Sequence, residues 1–116
     1  MPRIKFLLLR MKVLIPKDSL VVGDMVLNLE KYELTINSEV VVLTFKEFEM
    51  LKLLLQNQDK VFTRINLLST VWGYDYYGGS RTVDVHMRRL RAKIPPPYNN
   101  MLKTIRNVGY MFSHQE

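Results

Sequence analysis

Between Arg81 and Ile94 the chain carries Arg81, Arg88, Arg89 and Arg91 among regularly spaced apolar residues. Wound at 3.6 residues per turn, Val83, Met87, Leu90 and Ile94 fall on one narrow stripe. Arg81, Val85, Arg88, Arg89 and the small Ala92 fall on the other side. Guanidinium groups around a small residue suit close approach to a polyanion. Arginine donates in bidentate fashion to guanine O6 and N7, and a helix of this kind fits a DNA major groove. A solvated basic face on an ordinary amphipathic helix would give the same pattern.

The charge distribution sharpens that reading. The net charge is +6, with seven basic and two acidic side chains in residues 80–116. Residues 1–43 hold six basic and five acidic groups, and residues 44–79 hold four of each. Nearly all the excess therefore lies on and after the basic helix. A localised positive footprint is what phosphate binding requires.

Other chemistry finds little support. The only histidines are His86 and His114. Neither has a second ligand at helical spacing, so no metal site is expected. Gly78-Gly79 lacks the Lys-Ser/Thr that follows a phosphate-cradling loop. No pair of residues forms an acid, base or nucleophile constellation, so neither catalytic residues nor a cofactor is expected. Asp84 is expected to pair with Arg88 at i+4 or with Arg64. Tyr74, Asp75, Tyr76 and Tyr77 lie in a Gly-rich loop, 73–80, whose tyrosines suit a partner contact, packing on the domain, or stacking on single-stranded bases.

The 116 residues suit one domain, and 47% hydrophobic with 24% charged is ordinary globular composition. There is no cysteine, which fits a reducing compartment, and a cytoplasmic location is expected. No segment reaches the roughly 20 apolar residues of a membrane span. Residues 1–18 read as a linker or tail, with Ile4, Leu7, Leu8 and Met11 at helical spacing before Pro16. Residues 19–116 read as the domain.

Four short β-rich runs come first: Leu20-Val21-Val22, Met25-Val26-Leu27, Tyr32 to Ile36, and Val40 to Leu43. Gly23-Asp24, Asn28 to Lys31 and Asn37-Ser38 separate them as turns, giving an antiparallel sheet of three or four strands. Thr44 and Glu47 form a capping box for a helix to Asn57, with Phe45, Phe48, Leu51, Leu54 and Leu55 inward. Lys60 to Phe62 is a short strand. Thr63 caps a helix over Arg64 to Trp72, with Ile65, Leu68, Val71 and Trp72 inward, and Gly73 ends it. Pro95-Pro96-Pro97 stops the basic helix. Met101 to Arg106 and Gly109 to Ser113 then form a hairpin turning at Asn107-Val108.

Several of these residues together resemble one family. Leu43-Thr44 with Glu47-Phe48, Leu67-Leu68, Val71-Trp72-Gly73, Arg81 to His86, Arg88 to Arg91, Thr104 to Arg106 and Gly109-Tyr110 are similar to the winged-helix output domain of OmpR/PhoB-type response regulators. The resemblance runs from about Leu20 to Phe112. It implies an α+β winged helix-turn-helix: an N-terminal antiparallel sheet, three helices and a C-terminal β-hairpin wing. It implies a transcription factor module with helix 81–94 in the major groove and hairpin 104–110 near the minor groove. Val85 and Arg89 would meet bases. Arg81, His86 and Arg88 would meet phosphates or base edges, with Arg91 at the margin. Trp72, Thr104 and Tyr110 would meet the backbone, and Arg106 the minor groove. Asn107 stands where the family usually has Gly, which adds bulk at the wing tip.

The resemblance also implies tandem direct repeats in double-stranded DNA, an RNA polymerase contact through loop 73–80, and an upstream receiver domain with a histidine kinase. Two other classes remain. One is a protein-interaction module using loop 73–80 and the sheet, with weak nucleic-acid binding. The other is an RNA-binding module, although the deep RNA major groove does not admit a helix.

Overall fold

Alternation of apolar and polar residues builds the first layer. The computed structural model describes residues 18–73, 76 and 78–114. The helix expected over 1–12 lies outside them, as do Tyr74, Asp75 and Tyr77. Strands β1 (Ser19–Val22), β2 (Met25–Asn28), β3 (Glu33–Ile36) and β4 (Glu39–Val41) form an antiparallel sheet in sequence order. Register pairs Leu27 with Leu34 and Met25 with Ile36, and these four side chains are buried on one face. A one-residue slip would turn them to solvent.

The turns are those the sequence specifies. Asn37 and Ser38 both have positive φ, the requirement of a two-residue type I′ hairpin. The Asn28 side chain accepts from the amides of Glu30 and Lys31 at 2.9 and 3.0 Å, closing the β2–β3 connection.

Helix α1 (Phe45–Gln56) starts on the expected capping box. Thr44 Oγ1 accepts from the Glu47 amide, and Glu47 Oε1 accepts from the Thr44 amide at 2.9 Å. Phe48, Leu51, Leu54 and Leu55 are buried, with Met50 beside them. Phe45 is a correction. It is 60% exposed and stacks on Tyr32 at 5.8 Å between ring centroids. As the first residue of the helix it lies at the rim, and Phe48 one turn on takes the core position.

The next helix also departs from expectation. Thr63, at the end of β5 (Phe62–Thr63), caps α2 (Arg64–Leu67) through the Asn66 amide at 3.0 Å. The chain then widens into a π turn, Leu68–Trp72. The Gly73 amide closes it on the carbonyl of Leu68, and Gly73 has φ +100°, which glycine tolerates. The wider turn rephases the apolar residues. Leu67 is fully buried, Leu68, Val71 and Trp72 are half-buried, and Ile65 is 64% exposed rather than inward.

Helix α3 (Arg81–Lys93) buries Val83, Met87 and Leu90 completely, with Ile94 just past its end. A one-turn helix absent from the sequence reading, α4 (Tyr98–Met101), follows the prolines. Its Tyr98 is buried, and the hydroxyl accepts from the Asp24 amide at 2.8 Å in the β1–β2 turn.

Strands β6 (Leu102–Ile105) and β7 (Gly109–Phe112) form the hairpin, with β7 central between β5 and β6. Its loop has three residues, Arg106, Asn107 and Val108, rather than two, because Ile105 pairs with Gly109. Asn107 has φ +65° in the turn closed by the Val108 amide on Ile105 O, a position that Gly or Asn suits. Gly109 faces Thr63 of β5, and a Cβ there would lie 1.9 Å from the carbonyl oxygen of Phe62. Gly109→Ala is expected to cost about 1–3 kcal/mol or more by overpacking. A urea unfolding midpoint measures it, and an unchanged midpoint would contradict this packing.

Candidate nucleic-acid interface

The basic side of α3 is left to solvent because its opposite side is fully occupied. With Val83, Met87 and Leu90 buried, Arg81, Arg88, Arg89 and Ala92 are exposed, and Val85 and His86 are half-buried. The five residues expected on that side, Arg81, Val85, Arg88, Arg89 and Ala92, are thus exposed or half-buried. The His86 ring is held. Its Nδ1 lies 2.8 Å from the Thr82 carbonyl oxygen, and the ring stands edge-on to Trp72 at 5.0 Å.

Trp72 sits where the π turn meets α3, half-buried. Lys46 Nζ lies 5.6 Å over its ring while donating to the Val71 carbonyl at 3.0 Å. The indole N–H has no hydrogen-bond partner among the described residues. Tyr76, 39% exposed, tilts against Trp72 at 6.3 Å. Of the expected partner loop, 73–80, Gly73, Tyr76, Gly78, Gly79 and Ser80 are described, and Tyr76, Gly78 and Gly79 are exposed.

The wing brings Thr104, Arg106, Asn107 and Val108 to the surface, and all four are exposed. Two other expected contact residues stand differently. Tyr110 is 5% exposed, and its hydroxyl donates to Asp84 Oδ1 at 2.5 Å instead of standing free for a phosphate. Burial, with the bond to Asp84, raises its pKa above the ordinary 10.0, so the hydroxyl keeps its proton. Arg91 is half-buried and turned toward the hairpin. Nε donates to the Leu102 carbonyl at 2.9 Å and an Nη donates to Thr104 Oγ1 at 2.6 Å. Its guanidinium also lies 5.5 Å from the Tyr110 ring centroid.

Asp84 ties these parts together. The same Oδ1 accepts from Arg64 Nε at 2.7 Å, so Arg64 of α2, not Arg88, is its ion-pair partner. Burial opposes its ionisation. The hydrogen bonds from Tyr110 and Arg64 and the charges of Arg64 and Arg88 outweigh burial and hold the carboxyl below its ordinary 3.8.

Glu47 is the second such hub, and only its capping half is legible in the sequence. Besides capping α1, its buried carboxylate accepts from Lys93 Nζ at 2.6 Å, joining the start of α1 to the end of α3. Burial opposes ionisation here too. The bonds from Lys93 and the Thr44 amide, with the charges of Lys93 and His86, leave the carboxyl below its ordinary 4.5. The clue in the sequence was the capping-box glutamate itself, but its partner lies 46 positions away.

Against this geometry, the family model for the C-terminal domain of transcriptional regulatory proteins matches residues 38–112. The chain belongs to that family. Its members are OmpR/PhoB-type DNA-binding domains with the winged-helix fold. The chain is 43% identical to the transcriptional regulatory protein YclJ of Bacillus subtilis, across 87% of this chain and 45% of that protein. It is 36% identical to the heme response regulator HssR of Staphylococcus epidermidis, across 92% and 51%. The chain thus spans about half the length of the curated relatives it matches. Among solved structures it is similar to the Klebsiella pneumoniae RstA DNA-binding domain in complex with the RstA box. The identity is 30% and the TM-score 0.73, across 83% of this chain and 97% of that one. The DNA-binding domain of CpxR from E. coli gives 30% and 0.73, across 84% and 97%. Among the described residues no helix is long and apolar enough to cross a membrane.

In this winged-helix domain the two depressed carboxyls contribute to stability against acid. Each contributes stability that is fully present above its unfolded value and is lost as pH falls through the folded value, so the loss begins below about pH 4.5. Lys93→Met is expected to cost about 1 kcal/mol at pH 7, because Lys93 is partly solvated. That penalty shrinks as pH falls through the folded value of Glu47, which lies below its ordinary 4.5. Urea melts at pH 7 and in a descending series below pH 4.5 measure the difference, and a penalty that stays equal throughout the series would contradict the ion pair.

Proposed function

We propose that this domain binds double-stranded DNA in a sequence-specific manner and regulates transcription. One observation carries the reading: α3 buries one stripe entirely and presents Arg81, Arg88 and Arg89 around Ala92 on a bare surface flanked by the exposed wing. In this reading α3 enters the major groove. Arg89 and Val85 meet bases, the latter through a thymine methyl. Arg81, Arg88 and His86 meet phosphates or base edges, with the Trp72 indole N–H and Thr104 on the backbone. Arg106 reaches the adjacent minor groove. Arg91 and Tyr110 serve mainly from behind this surface, given the bonds they make within the domain.

The RstA domain was solved in complex with its RstA box, which supports the same mode for this chain. Residues 1–18 act as the linker from a receiver domain addressed by a histidine kinase, and 19–116 as the output domain. The target is a tandem direct repeat, on which two copies gain affinity from adjacency. Loop 73–80, including Tyr74, Asp75, Tyr76 and Tyr77, is the surface for RNA polymerase, and the protein acts in the cytoplasm.

Selection of bound duplexes from a random pool tests the reading. Enrichment of a repeated motif is expected. Arg89→Ala should lose about 1–3 kcal/mol on that motif and relax base preference. Arg88→Ala should lower the salt slope by roughly one unit on any duplex. Binding of all duplexes alike by the unaltered protein would replace sequence reading with a merely electrostatic face.

A further inference from the structure

A carboxylate is out of place on a surface built for phosphates. Asp84 is nevertheless on α3, and it is the sole acidic residue between Ser80 and His114. It does not face the groove side directly. At i and i+7, Asp84 and Arg91 share one flank of the helix, the flank against the hairpin. From that flank Asp84 receives the Tyr110 hydroxyl of β7 and Arg64 of α2 on a single oxygen. Arg91 reaches the Leu102 carbonyl and the Thr104 hydroxyl of β6. The two guanidiniums of Arg64 and Arg91 each lie 5.5 Å from the Tyr110 ring centroid. Both strands of the wing are therefore tied to α3, one at each of two points about two turns apart.

We propose that Asp84 and Arg91 are positioning residues for DNA specificity, a two-point clamp that fixes the wing to the recognition helix so that Arg89 and Arg106 address one duplex in register. This rests on the DNA-binding reading above. Beyond its own pairing the hairpin is held in the sheet by β5, which meets β7 at two residues and leaves β6 at the edge, so its placement against α3 leans on the side-chain ties. A base contact displaced by an ångström is largely lost, whereas a phosphate contact of the point-charge kind tolerates such a shift. The clamp thus bears on discrimination between duplexes more than on attraction to them.

Electrostatics and positioning give opposite signs for Asp84. Removing a negative charge from a basic surface should by itself tighten binding to every duplex. Removing a clamp should weaken binding to the preferred duplex only. The full chain would be titrated with the preferred duplex and a scrambled one of equal length. The variants are Asp84→Ala, Tyr110→Phe and Arg91→Lys, each first shown by thermal melting to be folded at the assay temperature.

Asp84→Ala is expected to lose about tenfold on the preferred duplex while holding or gaining on the scrambled one. Tyr110→Phe, which changes no charge, should shift the ratio in the same direction. Arg91→Lys keeps a charge that suffices for a phosphate but cannot span Leu102 and Thr104 together, so it too should lower the ratio. Equal tightening on both duplexes in Asp84→Ala would make Asp84 an electrostatic brake and overturn the proposal. An unchanged ratio with a lowered melting temperature would leave it a fold-stabilising residue only, and would also overturn it. If the unaltered protein prefers no duplex, the DNA reading fails, and the role in specificity proposed for these residues falls with it. Amide hydrogen exchange in the free protein then judges the clamp itself. Faster exchange across Lys103–Met111 in Asp84→Ala and Arg91→Lys, with α1 unchanged, would uphold the clamp, and unchanged exchange would remove it.

Discussion

Burial of one stripe of α3 sets the terms for the rest of the molecule. Val83, Met87, Leu90 and Ile94 are almost completely withdrawn from water. Each such side chain contributes about 1.5–3 kcal/mol, taken as an upper bound because unfolded chains already bury some surface. Repulsion between like charges on a helix surface is about 0.2–0.5 kcal/mol per pair. The stripe outweighs the crowding of Arg81, Arg88 and Arg89 by a wide margin. A helix anchored so firmly on one side tolerates a bare, strongly basic opposite side, which is the property a groove-binding element needs.

Hydrophobic burial fixes how deep α3 sits but not what stands beside it. That is the task of the polar contacts. Glu47 joins the start of α1 to the last turn of α3 through Lys93. Asp84 joins the first turn to α2 and β7, and Arg91 joins the last turn to β6. Each buried acceptor in these contacts has its donors, so the desolvation that burial imposes is offset. The same contacts explain why two residues expected on the DNA, Tyr110 and Arg91, are instead turned into the domain.

The sequence was most legible where structure is local. Strands β1 to β3 follow from alternation bounded by Gly23, Asn28 and Asn37. The caps at Thr44 and Thr63 follow from side chains that reach amides three residues on. The buried stripe and bare face of α3 follow from period 3.6 alone. Legibility failed where neighbours are distant in sequence. Tyr98 meets Asp24 across 74 positions, and Tyr110 meets Asp84 across 26. Periodicity also misled at Phe45 and Ile65. One opens a helix and stands at the rim, and the other precedes a π turn whose widened phase no 3.6 repeat describes. The fold class came from pattern and resemblance together, while the inner partners of the interface needed the register of β6 and β7.

The proposed nucleic-acid contact lies on one surface, made of α3 and the wing, with the sheet, its exposed Val40 and the Tyr32–Phe45 stack outside it. Titration of the isotopically labelled protein with duplex DNA, followed through backbone amide resonances, tests that placement most directly. Shifts are expected to concentrate at Arg81 to Ala92, at Trp72 and at Thr104 to Val108, with β3, β4 and the exposed side of α1 unmoved. Shifts gathered on Val40, Tyr32 and Phe45, with α3 quiet, would contradict it and make the sheet the working surface of this domain.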